Sequence, residues 1–148
     1  MTLRTATLAD VPELVAMGRR FRSTSGYSTI LAENVGQMEI TASNLITGPR
    51  STVFVAEGVG GDLIGMMGLI CFQHPMSGDW TVGEAFWWSE QAGAGLRLFE
   101  RGKLWAKEQG ATKMQMIQPE SEPRLGPLYA HLGFHRIEVA WQLDLEAA

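Results

Sequence analysis

Cysteine is nearly absent: Cys71 is the only one in 148 residues. No intrachain disulfide is available, so stability must come from an ordinary core, and a reducing, cytoplasmic setting is the expectation. A basic excess is missing too. Lys and Arg number 12 against 16 Asp and Glu, a net charge of -4, which argues against nucleic acid as a partner. No apolar run approaches the roughly 18 residues of a membrane span, so no membrane partner is expected. The opening Met1-Thr2-Leu3-Arg4-Thr5 lacks the apolar stretch of a secretory signal. Metal-binding residues are sparse. His131 and His135 have helical i, i+4 spacing, but Gly133 between them reads as a helix stop, so no metal is expected.

What is present is enough to fold. Apolar residues make up 45% of the chain, and the length suits one domain over residues 1–148. Leu3 to Ala6 reads as an opening strand. Thr7-Leu8-Ala9-Asp10 and Asp10-Val11-Pro12-Glu13 both have the form of a capping box, and Val11, Leu14, Val15, Gly18 and Phe21 then recur at helical spacing. A second helix is expected from about Ile30 to Ile46, ending at Gly48-Pro49.

Thr52 to Ala56 and Leu63 to Phe72 read as strands. The turn Gly58-Val59-Gly60-Gly61-Asp62 joins them in a hairpin, and no helix follows it as a dinucleotide-binding fingerprint requires. Cys71 lies mid-strand and reads as core. Trp80 to Trp88 is a further strand. In the next helix Leu98, Gly102, Trp105 and Ala106 share one face, and Glu100, Lys103, Lys107 and Glu108 the other. Lys113 to Ile117 reads as a strand, Leu125 to Leu132 as a short helix, and Phe134 to Leu145 as one bent closing strand or two short ones. The order β-α-α-β-β-β-α-β-α-β predicts a mixed, mostly antiparallel sheet flanked by helices, an α/β (α+β) fold.

The segment Glu84-Ala85-Phe86-Trp87-Trp88-Ser89-Glu90-Gln91-Ala92-Gly93-Ala94-Gly95-Leu96 carries the chemical signal. A strand enters a small-residue loop, and the loop opens a helix whose first N–H groups and dipole suit an anion. Gly93 and Gly95 allow close approach to a phosphate, with Ala92 and Ala94 keeping the surroundings small. A tight strand-to-helix turn with no ligand fits the same residues. By simple alternation Glu84 would share a face with Val82, Phe86 and Trp88; a carboxylate among aromatic rings has its pKa raised toward that of a general base, while an exposed carboxylate at a strand end fits the same position.

Over nearly its whole length the sequence resembles the GNAT superfamily of acyl-CoA-dependent acyltransferases. Leu3-Arg4-Thr5-Ala6-Thr7-Leu8-Ala9-Asp10-Val11-Pro12 is similar to that family's first strand and helix start. The Gln91–Leu96 loop resembles its pyrophosphate signature, and Leu128-Tyr129-Ala130-His131-Leu132-Gly133-Phe134 its late helix. Two departures stand out. Glu90 occupies the signature's first position, where the family has Arg or Gln, and Ser89 lies where a proline often precedes the loop. Gln91 is the other residue able to fill the polar role.

The resemblance implies acetyl-CoA or a related acyl-CoA as co-substrate. Gln91, Ala92, Gly93, Ala94, Gly95 and Leu96 would hold its pyrophosphate, and Phe86, Trp87 and Trp88 its pantetheine arm. It implies Glu84 as a general base for the amine and Tyr129 as proton donor to the departing thiolate. The implied reaction is N-acetyl transfer by direct attack in a ternary complex, on a small-molecule or peptide amine. Residues Ser23 to Glu39 and His74 to Asp79 would shape the acceptor pocket and carry no readable code. The other reading is a GNAT-like domain without turnover, a module binding CoA or a protein partner, which Glu90 favours and Tyr129 opposes. A homodimer is compatible with either.

Overall fold

The computed structural model describes residues 1–146. The chain forms two compact units, one over residues 1–117 and a second beginning at Gln118. In the first, β1 (Thr2–Thr5) precedes α1 (Val11–Thr24), α2 (Val35–Thr47), β2 (Ser51–Glu57), β3 (Leu63–Gln73), β4 (Trp80–Ser89), α3 (Ala94–Glu108) and β5 (Lys113–Gln115). The strands form one sheet in the order β1-β2-β3-β4-β5. Every pairing is antiparallel except the parallel β4–β5 pair. This is the mixed, mostly antiparallel architecture that the element order implies.

β2 and β3 are buried along most of their length, because helices cover both faces of the sheet. On one face Val53, Val55 and Met66 meet Leu14 and Met17 of α1 and Ala42 and Leu45 of α2. On the other lies α3, whose amphipathic pattern buries Leu98, Phe99, Gly102, Trp105 and Ala106. A Cβ on Gly102 would stand 2.8 Å from Met67 Sδ and 2.9 Å from Leu69 Cδ1, so glycine there sets how closely α3 can lie on β3.

The entry to α1 is tied by charge. Asp10 accepts from the Thr7 N–H at 2.7 Å and from Arg4 twice at 2.8 Å, and Arg4 also donates to Glu57 at 2.7 Å. The Arg4 guanidinium is the main reason the Asp10 carboxyl lies below the usual carboxylate range. α2 starts at Val35, later than the apolar residues from Ile30 suggest. Gly26–Thr29 closes a 3-10 turn, and Asn34 caps the helix by accepting from the Gln37 N–H at 2.9 Å.

The second unit contains α4 (Leu125–His131). Gly133, at φ +95°, ends it, and the Phe134 N–H returns to the Tyr129 carbonyl at 2.9 Å. The closing strand expected over Phe134 to Leu145 is not formed: among the described residues no strand follows α4. Alternation supplies a strand's side-chain pattern, but a strand also needs a ladder partner, and among the described residues none pairs with this segment.

Candidate active site

β4 departs from regular pairing where the chemistry was expected. Its register with β3 slips between Gly68 and Leu69: Gly68 faces Phe86 and Leu69 faces Glu84, leaving Ala85 as an extra residue. Neighbouring β3 residues point to opposite faces, so the bulge corrects the alternation expected for β4. Phe86 and Trp88 pack against the α1–α2 core, while Glu84 falls in phase with Val82. Gly68 fits this break, because a Cβ there would stand 2.7 Å from the Phe86 ring.

The parallel ladder between β4 and β5 spans only Thr81–Gly83 against Lys113–Gln115. From Glu84 onward β4 has a register partner in β3 alone, so the two strands part. The Glu84 carboxylate stands at the head of that gap and accepts from the Ile117 N–H at 3.0 Å. The side chain is half-buried. Loss of water pushes its pKa up to about 7, against the opposing pull of the Ile117 N–H. Deprotonated near neutral pH and reprotonated easily, it has the acidity of a general base.

Beyond the gap, β4 runs into the turn expected to bind an anion. Gly93 takes φ +84° as the cap of α3, with open space where a side chain would be. The Ala94 N–H donates to the Gln91 carbonyl at 3.2 Å, and Arg97 begins the helical ladder by donating to Gly93 at 3.3 Å. The N–H groups of Gly95 and Leu96 have no acceptor within the helix, as at any helix start. The Trp87 indole N–H donates to the Gly95 carbonyl at 3.0 Å, and its ring lies 6.1 Å from that of Phe99. Its side chain therefore holds the turn from behind. Gln91, Ala92 and Leu96 are exposed and Ala94 is buried.

Arg20, Phe21 and Tyr27 were not singled out from sequence as site residues. Arg20 of α1 makes a two-pronged pair with Glu90, Nε to Oε2 at 2.8 Å and Nη2 to Oε1 at 2.7 Å. That pair is the first cause of the lowered Glu90 pKa. The buried Trp88 indole N–H lies near the same carboxylate and helps hold it ionised, though it falls short of hydrogen-bond geometry. The Phe21 ring of α1 lies between those of Trp88 and Tyr27, tilted to both, at ring distances of 4.9 Å and 5.4 Å. Burial and, second, the Glu84 charge push the Tyr27 phenol up. No local pattern marks Arg20 for a residue 70 positions away. Tyr27 did carry a signal, as one of only two tyrosines.

The remaining expected site residue, Tyr129, is buried in α4 of the second unit, its ring 5.4 Å from Phe134. Among the described residues no group of three or more His, Cys, Asp or Glu could hold a metal ion, and no helix is long and apolar enough to cross a membrane.

No protein-family profile matches the chain, and no curated protein matches it in sequence. Solved structures do match it in fold. A mutant of the BH1408 protein from Bacillus halodurans superposes with a TM-score of 0.84 at 18% identity, over 98% of this chain and 99% of that one. A predicted acetyltransferase with acetyl-CoA from Clostridium acetobutylicum superposes at 0.76 and 17% identity, over 97% and 96%. The ribosomal-protein-alanine N-acetyltransferase from Brucella melitensis gives 0.73 and 13%, over 97% and 98%. The fold is that of the GNAT acetyltransferases; at these identities the likeness speaks for the fold alone.

Proposed function

We propose that this protein is an N-acetyltransferase that moves an acetyl group from acetyl-CoA to an amine by direct attack within a ternary complex. The observation that carries the reading is the parting of β4 from β5 at Glu84, continuous with the Gly93–Leu96 turn. The stretch of β4 left without a partner on the β5 side thus leads to unpaired N–H groups at a helix start, which suits a thioester arm ending in a pyrophosphate. The turn fits that group sterically. Gly93 is open where a side chain would crowd the phosphates, and a Cβ on Gly95 would stand 3.0 Å from Ser89 Oγ.

Acetyl-CoA supplies the activated acyl group, and the chain's residues do the rest. Glu84 takes a proton from the acceptor ammonium, directly or through water, and the free amine so formed attacks the thioester carbonyl. A backbone N–H of β4 past the bulge stabilises the negative charge that develops on the carbonyl oxygen. The Tyr129 phenol protonates or hydrogen-bonds the departing thiolate, the role that the resemblance gives it.

Calorimetric titration with acetyl-CoA, followed by thiol release over a panel of primary amines, tests the reading. Binding together with amine-dependent release is expected. Binding with no release on any amine would favour a non-catalytic CoA-binding module instead.

A further inference from the structure

The acidic residue at the head of the phosphate turn should repel CoA, and its partner in the structure suggests why it need not. We infer that Arg20 is a positioning residue for the CoA pyrophosphate: by gripping Glu90 with both prongs of its guanidinium, it cancels the carboxylate's charge and holds it off the Gly93–Leu96 N–H groups. The inference rests on the acetyl-CoA reading above.

The geometry supports it at several points. The two bonds, 2.7 Å and 2.8 Å, use the parallel donor fork of an arginine, which fixes the carboxylate plane as well as its distance. The next residue of α1, Phe21, packs its ring at a tilt against Trp88 at 4.9 Å. Two successive α1 residues therefore grip Trp88 and Glu90, which flank Ser89 at the end of β4. The strand side of the turn is fixed by the Glu90 N–H, which donates to the Ile64 carbonyl at 2.8 Å. The Arg20 Nη1 group is not used in the pair with Glu90. An arginine on α1 thus offsets, from outside the loop, the carboxylate that stands at its head.

The test is a double-mutant cycle read as acetyl-CoA affinity. Both side chains are solvent-accessible, so the coupling has the size of a surface pair. Arg20→Gln should raise the acetyl-CoA Kd about fivefold at low salt, and less at high salt. Glu90→Gln should bind at least as tightly as the parent. Arg20→Gln with Glu90→Gln should return to within about twofold of the parent, because the carboxylate to be neutralised is gone. Arg20→Lys, which keeps the charge and loses the fork, should fall between. A merely structural Arg20 would change melting temperature without this salt-dependent rescue. Unchanged affinity in Arg20→Gln, or a double variant as weak as Arg20→Gln alone, overturns the inference while the CoA reading stands. A parent protein that does not bind acetyl-CoA overturns both.

Discussion

At Glu84 two surroundings oppose one another: burial favours the protonated acid, and the Ile117 N–H favours the carboxylate. Burial prevails, and the pKa rises to about 7. A base of that pKa makes kcat/KM climb with pH through about 7, and Glu84→Gln should remove that limb and lower the rate ~100-fold or more. Stability moves the other way. A carboxyl whose folded pKa lies above its unfolded value of 4.5 stabilises the fold in acid, and that contribution is lost as pH rises from about 4.5 to about 7. The full loss is on the order of 3 kcal/mol, reduced by whatever water reaches the half-buried group. Glutamine keeps an oxygen for the Ile117 N–H and carries no charge. Melting curves should therefore show Glu84→Gln level with the parent near pH 4.5 and more stable at pH 8; equal melting points at both would contradict the buried-carboxylate account. Tyr129 is tested by Tyr129→Phe, which keeps the ring packed on Phe134 and removes the hydroxyl. Single-turnover rates should fall ~100-fold with acetyl-CoA binding nearly intact, and an unchanged rate would leave Tyr129 a packing residue. Sequence marked Glu84 and Tyr129 because both stand in recognisable local patterns. Arg20 was silent because its partner is distant in the chain.

Individual elements were legible where one face of a pattern meets one layer of the fold. α3 is the clearest case: its predicted apolar stripe is its buried face. Gly102 shows what that stripe needs, since Met67 and Leu69 crowd the place of a side chain there. Gly102→Val should therefore cost ~1–3 kcal/mol by overpacking, read as a lower denaturant midpoint, while Gly60→Val, with no atom near its Cβ, should cost far less. Similar losses at both sites would mean that α3 does not lie that close to β3. The β4 bulge was not legible. Val82, Glu84, Phe86 and Trp88 alternate without a break in the sequence, and only pairing with β3 reveals the extra residue Ala85. The start of α2 was obscured in a similar way, because Ile30 and Leu31 are apolar yet exposed, and the cap at Asn34 decides the boundary.

For the molecule as a whole, the order of elements was enough to indicate a mixed sheet flanked by helices, because hairpins and a strand-helix-strand unit leave few ways to pair. The resemblance implies a splayed strand pair at Phe86 to Trp88; what the sequence could not show was where the two strands part. The gap beside Glu84 arises from where the β4–β5 ladder stops, a property of two segments at once. Ligand linkage offers one global check: acetyl-CoA at 100 times its Kd should add roughly 2.7 kcal/mol of stability, seen as a rise in melting temperature. The most direct measurement is a crystal structure with acetyl-CoA bound. The account predicts the pyrophosphate within hydrogen-bond distance of the Gly95 and Leu96 N–H groups, and the thioester beside the Glu84–Phe86 bulge in the gap between β4 and β5. Acetyl-CoA lying elsewhere on the protein, with that gap and turn empty, would contradict it.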